Sequence, residues 1–280
     1  MRTKKPRRTP KAFVKRYGRL MIGGFIIGIF ALMAIFAPFI ATHDPDALSL
    51  SEKHALPNAE HILGCDAYGR DLFSRLVYGA RTTMGVALLV QILTIAISAI
   101  CGLLAGYYRK VDMIMMRVME VIHAIPQTLL ALVIASVLGP GVGNLMIALV
   151  VCHLPGPTRY VRAQVLSLRK REFVESEKAM GASDARTIFL HIMPHCSSYL
   201  LLRFSSGLGG TVSSLSTLAY LGVGMDPSIP NWGAIISDGN SLMFVYPHLV
   251  VSAGIAISLT IFGFCILGDG LRDVLDPKMR

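Results

Sequence analysis

Between Glu120 and Arg159 the chain holds no ionised side chain: residues 121–158 contain no Asp, Glu, Lys or Arg. A helix needs about 20 apolar residues to cross the bilayer core, so this stretch is too long for one crossing. The segment Gly139-Pro140-Gly141-Val142-Gly143-Asn144 divides it, because proline and clustered glycine interrupt helices and favour turns. The pattern predicts a tight helical hairpin, about 117–138 and 144–165. Comparable runs predict a first span at Leu20 to Ala41, a second at Thr83 to Gly106, a fifth at 197–221 interrupted by Arg203, and a sixth at 247–267. The first run exceeds a signal-peptide core of about 7–15 residues, and no cleavage site follows it. The expected fold is therefore an all-α polytopic membrane protein with six transmembrane helices.

Composition agrees. Only 16% of the 280 residues are charged, against about a quarter in soluble domains. That argues against a disordered chain, a coiled coil and an ordinary soluble enzyme. The net charge of +10 is not a nucleic-acid footprint, because it is arranged around the spans. Nine of the 27 Lys and Arg precede residue 20, and the first acid is Asp44. Six spans place both termini on one side. With the N-terminus inside, 22 Lys and Arg face the cytoplasm and four face outward, with Arg203 the remaining one; this is the positive-inside asymmetry. The expected organisation is a basic cytoplasmic tail (1–19), a first helix (20–41), an extracytoplasmic loop (42–81), a five-helix core (82–268) containing a cytoplasmic loop at 166–194, and a cytoplasmic tail (269–280). A short amphipathic helix is expected near Leu72–Tyr78.

Catalytic signatures are absent. There is no GxxxxGK[ST] phosphate loop, no Gly-x-Ser-x-Gly elbow and no His-Glu-x-x-His helix. Five cysteines without a CxxC argue against a disulfide framework or zinc ribbon. Glu120 and His123, with Met113, Met116 and Met119, lie on one helix, where such residues more often pack than ligate. His153 reads as a hydrogen-bonded helix contact. No catalytic residue, metal or cofactor is expected on this chain.

The largest inside loop runs Arg169-Lys170-Arg171-Glu172-Phe173-Val174-Glu175-Ser176-Glu177-Lys178-Ala179-Met180-Gly181-Ala182-Ser183-Asp184 and reaches Pro194. A helix over 168–180 would end at Gly181, which suits a left-handed C′ position. Ser183 would cap a second short helix, with Asp184 at its positive end. Two short helices would form a knob fit to dock in a groove on another protein. A solvated basic loop is the other reading these residues allow.

Glu175-Ser176-Glu177, three residues, Gly181, nine residues, His191, one residue, Met193-Pro194 resembles the Glu-Ala-Ala motif of ABC importer permeases. Glu175, Gly181 and Pro194 match in identity, whereas Ser176, Glu177, His191 and Met193 depart. Residues 61–81 (His61-Ile62-Leu63-Gly64 to Gly79-Ala80-Arg81), Leu221–Gly224 with Pro230–Ala234, and Leu267–Pro277 are similar to blocks of the "C" permease of dipeptide, oligopeptide and nickel importers. The resemblance covers about residues 20–277. It implies the type I importer permease fold, with cytoplasmic coupling helices between the fourth and fifth spans. It implies a second, related permease, two ATPase subunits that carry ATP and Mg, and an extracytoplasmic binding protein. The ATPase-coupling residues would be Glu172, Glu175, Ser176, Glu177, Ala179, Gly181, Ala182 and Pro194.

Other residues are weighed singly. Arg203 is either a pathway residue or one that snorkels to the inner interface, since it lies nine residues past Pro194, roughly 13 Å along a helix. Gly207 and Gly210 allow close helix approach or a wider pathway, and Gly102 and Gly106 allow helix packing. Asp66, Arg70 and Asp71 would contact the binding protein or partner permease, or form a charge network within the loop. The function expected is the membrane subunit of an ATP-driven peptide importer. A nickel or metal-chelate importer is the nearest alternative, and a secondary transporter a more distant one.

Overall fold

The computed structural model describes residues 10–226 and 228–275. It is helical throughout apart from loops and one isolated bridge, Cys65 with Asp71. The long helices are α1 (Pro10–Ile35), α2 (Leu72–Tyr107), α3 (Arg109–Ala124), α4 (Gln127–Leu138), α5 (Val142–His153), α6 (Pro155–Leu168), α7 (Glu172–Ala179), α8 (Met193–Tyr220), α9 (Trp232–Asn240) and α10 (Pro247–Leu275).

Several boundaries differ from the sequence reading, each for a local reason. The helix expected at Leu72–Tyr78 is the first two turns of the 36-residue α2. Asp71 starts it by accepting a hydrogen bond from Ser74 N at 2.8 Å, as an N-cap should. Residues 10–19 are helical rather than a separate tail, and α10 continues past residue 268 to Leu275; residues 1–9 and 276–280 of the expected tails lie outside the described residues. The third span is not one rod. α3 and α4 meet at 97°, because Pro126 holds Ile125 in an extended conformation. Pro155 and Pro157 mark the boundary between α5 and α6, where Leu154 keeps helical backbone angles. Among the described residues, three helices are long and apolar enough to cross a membrane unaided, and the bent α3–α4 pair makes four. The expected count of six is not reached on length and apolarity alone: α5 has 12 residues, and α8 carries Arg203 among many Ser and Thr.

Close backbone contact organises the bundle. A Cβ on Gly102 would lie 2.6 Å from Val161 Cβ, and one on Gly106 would lie 2.5 Å from Val165 Cβ. The two glycines, one turn apart on α2, therefore seat α6, as their spacing suggested. α1 meets α10 in the same way, through Gly23 against Leu267 and Gly270 against Leu20. Lipid tails are as apolar as leucine, so such contacts, rather than exclusion of water, hold helices together in a membrane.

One end of the bundle, the cap, is formed by residues 42–71 and α9. Trp232 of α9 is fully buried there, donates Nε1–H to Leu76 O at 3.0 Å, and meets Phe30 edge-on with ring centroids 5.6 Å apart. The other end carries α7. Gly102→Val is expected to cost about 1–3 kcal/mol through overpacking and to lower the thermal unfolding midpoint of the detergent-solubilised chain. Gly85→Ala, where nothing lies within 4 Å, should leave that midpoint unchanged.

Candidate functional site

The knob forms because its sequence closes a helix on both sides. α7 begins after Arg171, with Glu172 and Glu175 in its first turn, where the helix dipole favours acids. It ends in a left-handed glycine, Gly181 at φ +82°. Ala182 N donates to Glu177 O and Gly181 N to Lys178 O, both at 3.0 Å, the paired closure that a C′ glycine permits. Ser183 Oγ then accepts from Arg186 N at 3.4 Å. The second helix differs from expectation: a single turn at Asp184–Arg186 runs through a π-helical segment, Thr187–Ile192, straight into α8.

Val174 turns inward and packs with Leu103, Val161, Val165, Ile188, Ile192 and Cys196. Glu172, Glu175, Ser176, Ala179 and Gly181 are exposed; Glu177 and Ala182 are half-buried, and Pro194 is exposed at the start of α8. Tyr107 Oη donates to Asp184 Oδ1 at 2.6 Å, and Lys178 Nζ lies 5.1 Å from the Tyr107 ring centroid. Arg169 Nη1 donates to Gly106 O at 3.1 Å. Arg162 grips Asp112 with both arms of its guanidinium, tying α6 to α3. Glu177 Oε2 lies 3.3 Å from His191 Nε2. The alignment is not that of a hydrogen bond, so the two groups are in polar contact without one. These two residues both depart from the Glu-Ala-Ala pattern, and they touch each other.

Above the knob a cavity of about 410 Å³ is lined by Tyr160, Tyr199, Arg203, Ser206, Asp269 and Arg272. Tyr160 and Tyr199 stack with centroids 3.5 Å apart. Arg203 is exposed toward this space. Its backbone carbonyl accepts from Gln91 Nε2 at 3.0 Å, and Gln91 Oε1 accepts from Thr211 at 3.0 Å. A side chain on Gly207 would collide with the Gln91 amide, so that glycine makes room for packing. Gly210 is exposed with nothing within 4 Å of a Cβ. Gln91, Asp269 and Arg272 were not singled out from sequence; the one buried amide in the long apolar α2 was the available signal for Gln91.

At the cap, Asp66, Arg70 and Asp71 are buried. Arg70 bonds Asp66 Oδ2 at 2.6 Å and Asp238 Oδ2 at 3.0 Å. Arg75 lies 3.7 Å from Asp66 and 3.6 Å from Asp46. These loop residues form a charge network within the chain. Burial pushes the Asp238 carboxyl up, and Arg70 and Arg75 pull it back only in part. Asp71 sits below the usual carboxylate range: burial would raise it, but hydrogen bonds with Ser74 and His61 outweigh that effect.

Comparison with known proteins gives a consistent family. Residues 94–280 match the family described as "binding-protein-dependent transport system inner membrane component", and residues 19–58 match the "N-terminal TM domain of oligopeptide transport permease C". The chain is 37% identical over 268 residues to the dipeptide transport system permease protein DppC of Alkalihalophilus pseudofirmus, covering 95% of this chain and 88% of that one. It is 36% identical over 279 residues to the glutathione transport system permease protein GsiD of Escherichia coli, covering 98% and 92%. Removing one partner of a buried ion pair leaves an uncompensated charge, a loss of about 3–5 kcal/mol. Arg70→Met should therefore lower the thermal midpoint sharply, and adding Asp238→Asn to it should recover part of the loss.

Proposed function

The chain belongs to the family of binding-protein-dependent transport system inner membrane components, and from that premise we propose that it forms half of the translocation pathway of an ATP-driven importer of dipeptides and oligopeptides. It is a multi-pass permease subunit, not an enzyme. The peptide assignment draws on relatives named for dipeptide and glutathione transport. The remaining half of the pathway is assigned to a second, related permease. ATP and Mg belong to two ATPase subunits, and substrate arrives from an extracytoplasmic binding protein. Both termini and the knob lie in the cytoplasm of a chain set in the inner membrane.

The observation that carries this reading is the mechanical continuity of the knob with α8. Residues 172–194 present Glu172, Glu175, Ser176 and Ala179 outward, with Gly181 and Ala182 closing the turn and Pro194 opening the next helix. A push on α7 passes through Glu177–His191 and the π-helical segment into the helix that holds Arg203. π-helical turns recur at functional sites in helices, and this one sits between the docking surface and the cavity. Arg203, Arg272 and the stacked tyrosines suit a peptide, which offers a carboxylate and backbone carbonyls. Gly210 leaves the neighbouring face of α8 open, whereas Gly207 serves packing. Asp66, Arg70 and Asp71 shape the cap, and exposed Tyr68 beside them is the surface a delivered binding protein meets.

Purification of the full chain from its native membrane in mild detergent tests the assembly. Two ATPases and a second permease should accompany it. A lone or self-paired chain that still transports in liposomes would overturn the reading. Arg203→Ala should lower peptide uptake about tenfold, the scale of one hydrogen bond to a charged group, while the complex still assembles. Glu177→Ala and His191→Ile should each lower uptake about fivefold, as loss of a partly buried polar contact would. The double variant, which removes both partners, should return to within about twofold, a coupling readable in a double-mutant cycle.

A further inference from the structure

Beyond transport itself, we propose that His43, His61 and Asp71 form a binding site for one divalent transition-metal ion at the cap. The residues come from three separate places. His43 follows α1, His61 lies in the long loop, and Asp71 caps α2. One ligand atom from each falls within 4.8 Å of the other two. His61 Nδ1 is 2.9 Å from Asp71 Oδ1, and His43 Nδ1 is 3.9 Å from Asp71 Oδ2. Around a tetrahedral ion with bonds of about 2.0–2.1 Å, ligand atoms stand roughly 3.3 Å apart, so small side-chain movements complete the set.

The surroundings are those a metal site uses. The side chains of Asp71 and His61 are 1% and 7% exposed, whereas that of His43 is 35% exposed, which leaves one open flank for entry and for a water ligand. Glu52 Oε1 lies 3.6 Å from Nε2 of His61, and a carboxylate behind a ligating imidazole fixes its tautomer and orientation. Ser74 N donates to Asp71 Oδ2 at 2.8 Å and fixes the carboxylate. Thr42 Oγ1 lies 3.1 Å from His43 Nδ1 and donates to Asp71 Oδ2 at 3.2 Å. Two imidazoles and one carboxylate favour Zn²⁺, Ni²⁺ or Cu²⁺ over Mg²⁺ and Ca²⁺, which take oxygen sets. The ion would join the end of α1, the loop and the start of α2, and so stiffen the cap.

The test uses the full chain in detergent, purified by a tag without histidine and stripped with a chelator. Zn²⁺ is titrated in by calorimetry at neutral pH. One ion per chain is expected, with the thermal midpoint rising by about 5 °C at saturating metal, the linkage expected for a ligand that binds only the folded state. His43→Ala and His43→Phe should each weaken Zn²⁺ binding at least tenfold and remove the metal-dependent rise. The phenylalanine keeps a ring against His61, whose centroid lies 4.6 Å from that of His43, so without metal its midpoint should match that of the unsubstituted chain. No saturable binding, an affinity in both His43 variants equal to that of the unsubstituted chain, or displacement of Zn²⁺ by millimolar Mg²⁺ would overturn the proposal.

Discussion

A bilayer core offers no hydrogen bonds, so every interruption of a spanning helix has to be satisfied by the chain itself. The rest of this structure follows from where those interruptions fall. Pro155 and Pro157 lack an N–H, and donors near that break come from other helices: Gln127 Nε2 donates to Cys152 O at 2.9 Å and Ser98 Oγ to Leu154 O at 3.3 Å. At the end of α4, Asn144 Nδ2 reaches Leu138 O at 2.8 Å, and Gly141 N donates to Gly224 O at 2.9 Å. Gln91 attaches α2 to the carbonyl of Arg203. The four side chains among these donors, Gln127, Ser98, Asn144 and Gln91, all address backbone carbonyls outside their own helix. They fix register between helices where apolar packing alone allows sliding.

Charge is sorted by the same constraint. Both ends of the bundle hold ion pairs, but they differ in kind. At the cap, Arg70 and Arg75 are buried among Asp46, Asp66 and Asp238, so the loop is locked to α9 by contacts that are costly to break. At the knob end, Arg117–Glu120 and Arg19–Asp273 are largely exposed and contribute little, while Arg162–Asp112 and Tyr107–Asp184 tie adjacent segments. The cap is thereby the stiffer end. The knob is joined to the bundle through the packing of Val174, the Tyr107–Asp184 hydrogen bond, the π-helical segment and the Glu177–His191 contact.

Much of this was legible in the amino-acid order. Charge-free runs located the apolar helices, Gly139–Asn144 located the hairpin turn, Gly102 and Gly106 foretold close packing, and Gly181 foretold a left-handed helix end. The failures have physical causes. The start of α2 read as a separate short helix within a loop because Arg75 and Arg81 interrupt its hydropathy, yet Arg75 is buried among carboxylates supplied from elsewhere in the chain. The 97° bend hinges on Pro126, which sits inside a run that is apolar on both sides and so reads as continuous. α9 has no long periodic face; Asn231 caps it by accepting from Ala234 N, and Trp232 anchors it through Leu76 and Phe30, partners distant in sequence. The cavity beside Arg203 could not be read, since Tyr160, Asp269 and Arg272 reach it only through the packing of α6 and α10 against α8.

The pair Glu177 and His191 carries a wider point about motifs. Taken one at a time, an acid where a packed helix expects a small residue and an imidazole where it expects an aliphatic one each look like damage to the knob. A lone acid there would be half-buried without a partner, and so would the imidazole. Their separation of 3.3 Å changes the account, because a polar contact replaces an apolar contact across the same gap between α7 and the π-helical turn. Replacing packing by a polar contact also changes the character of the joint: an apolar contact is indifferent to small rotations, whereas a polar contact weakens as the groups separate and solvent enters between them. In the proposed importer, the ATPases would therefore act on a joint whose stiffness depends on how closely the knob is held against α8, and the two substitutions have to be understood as one.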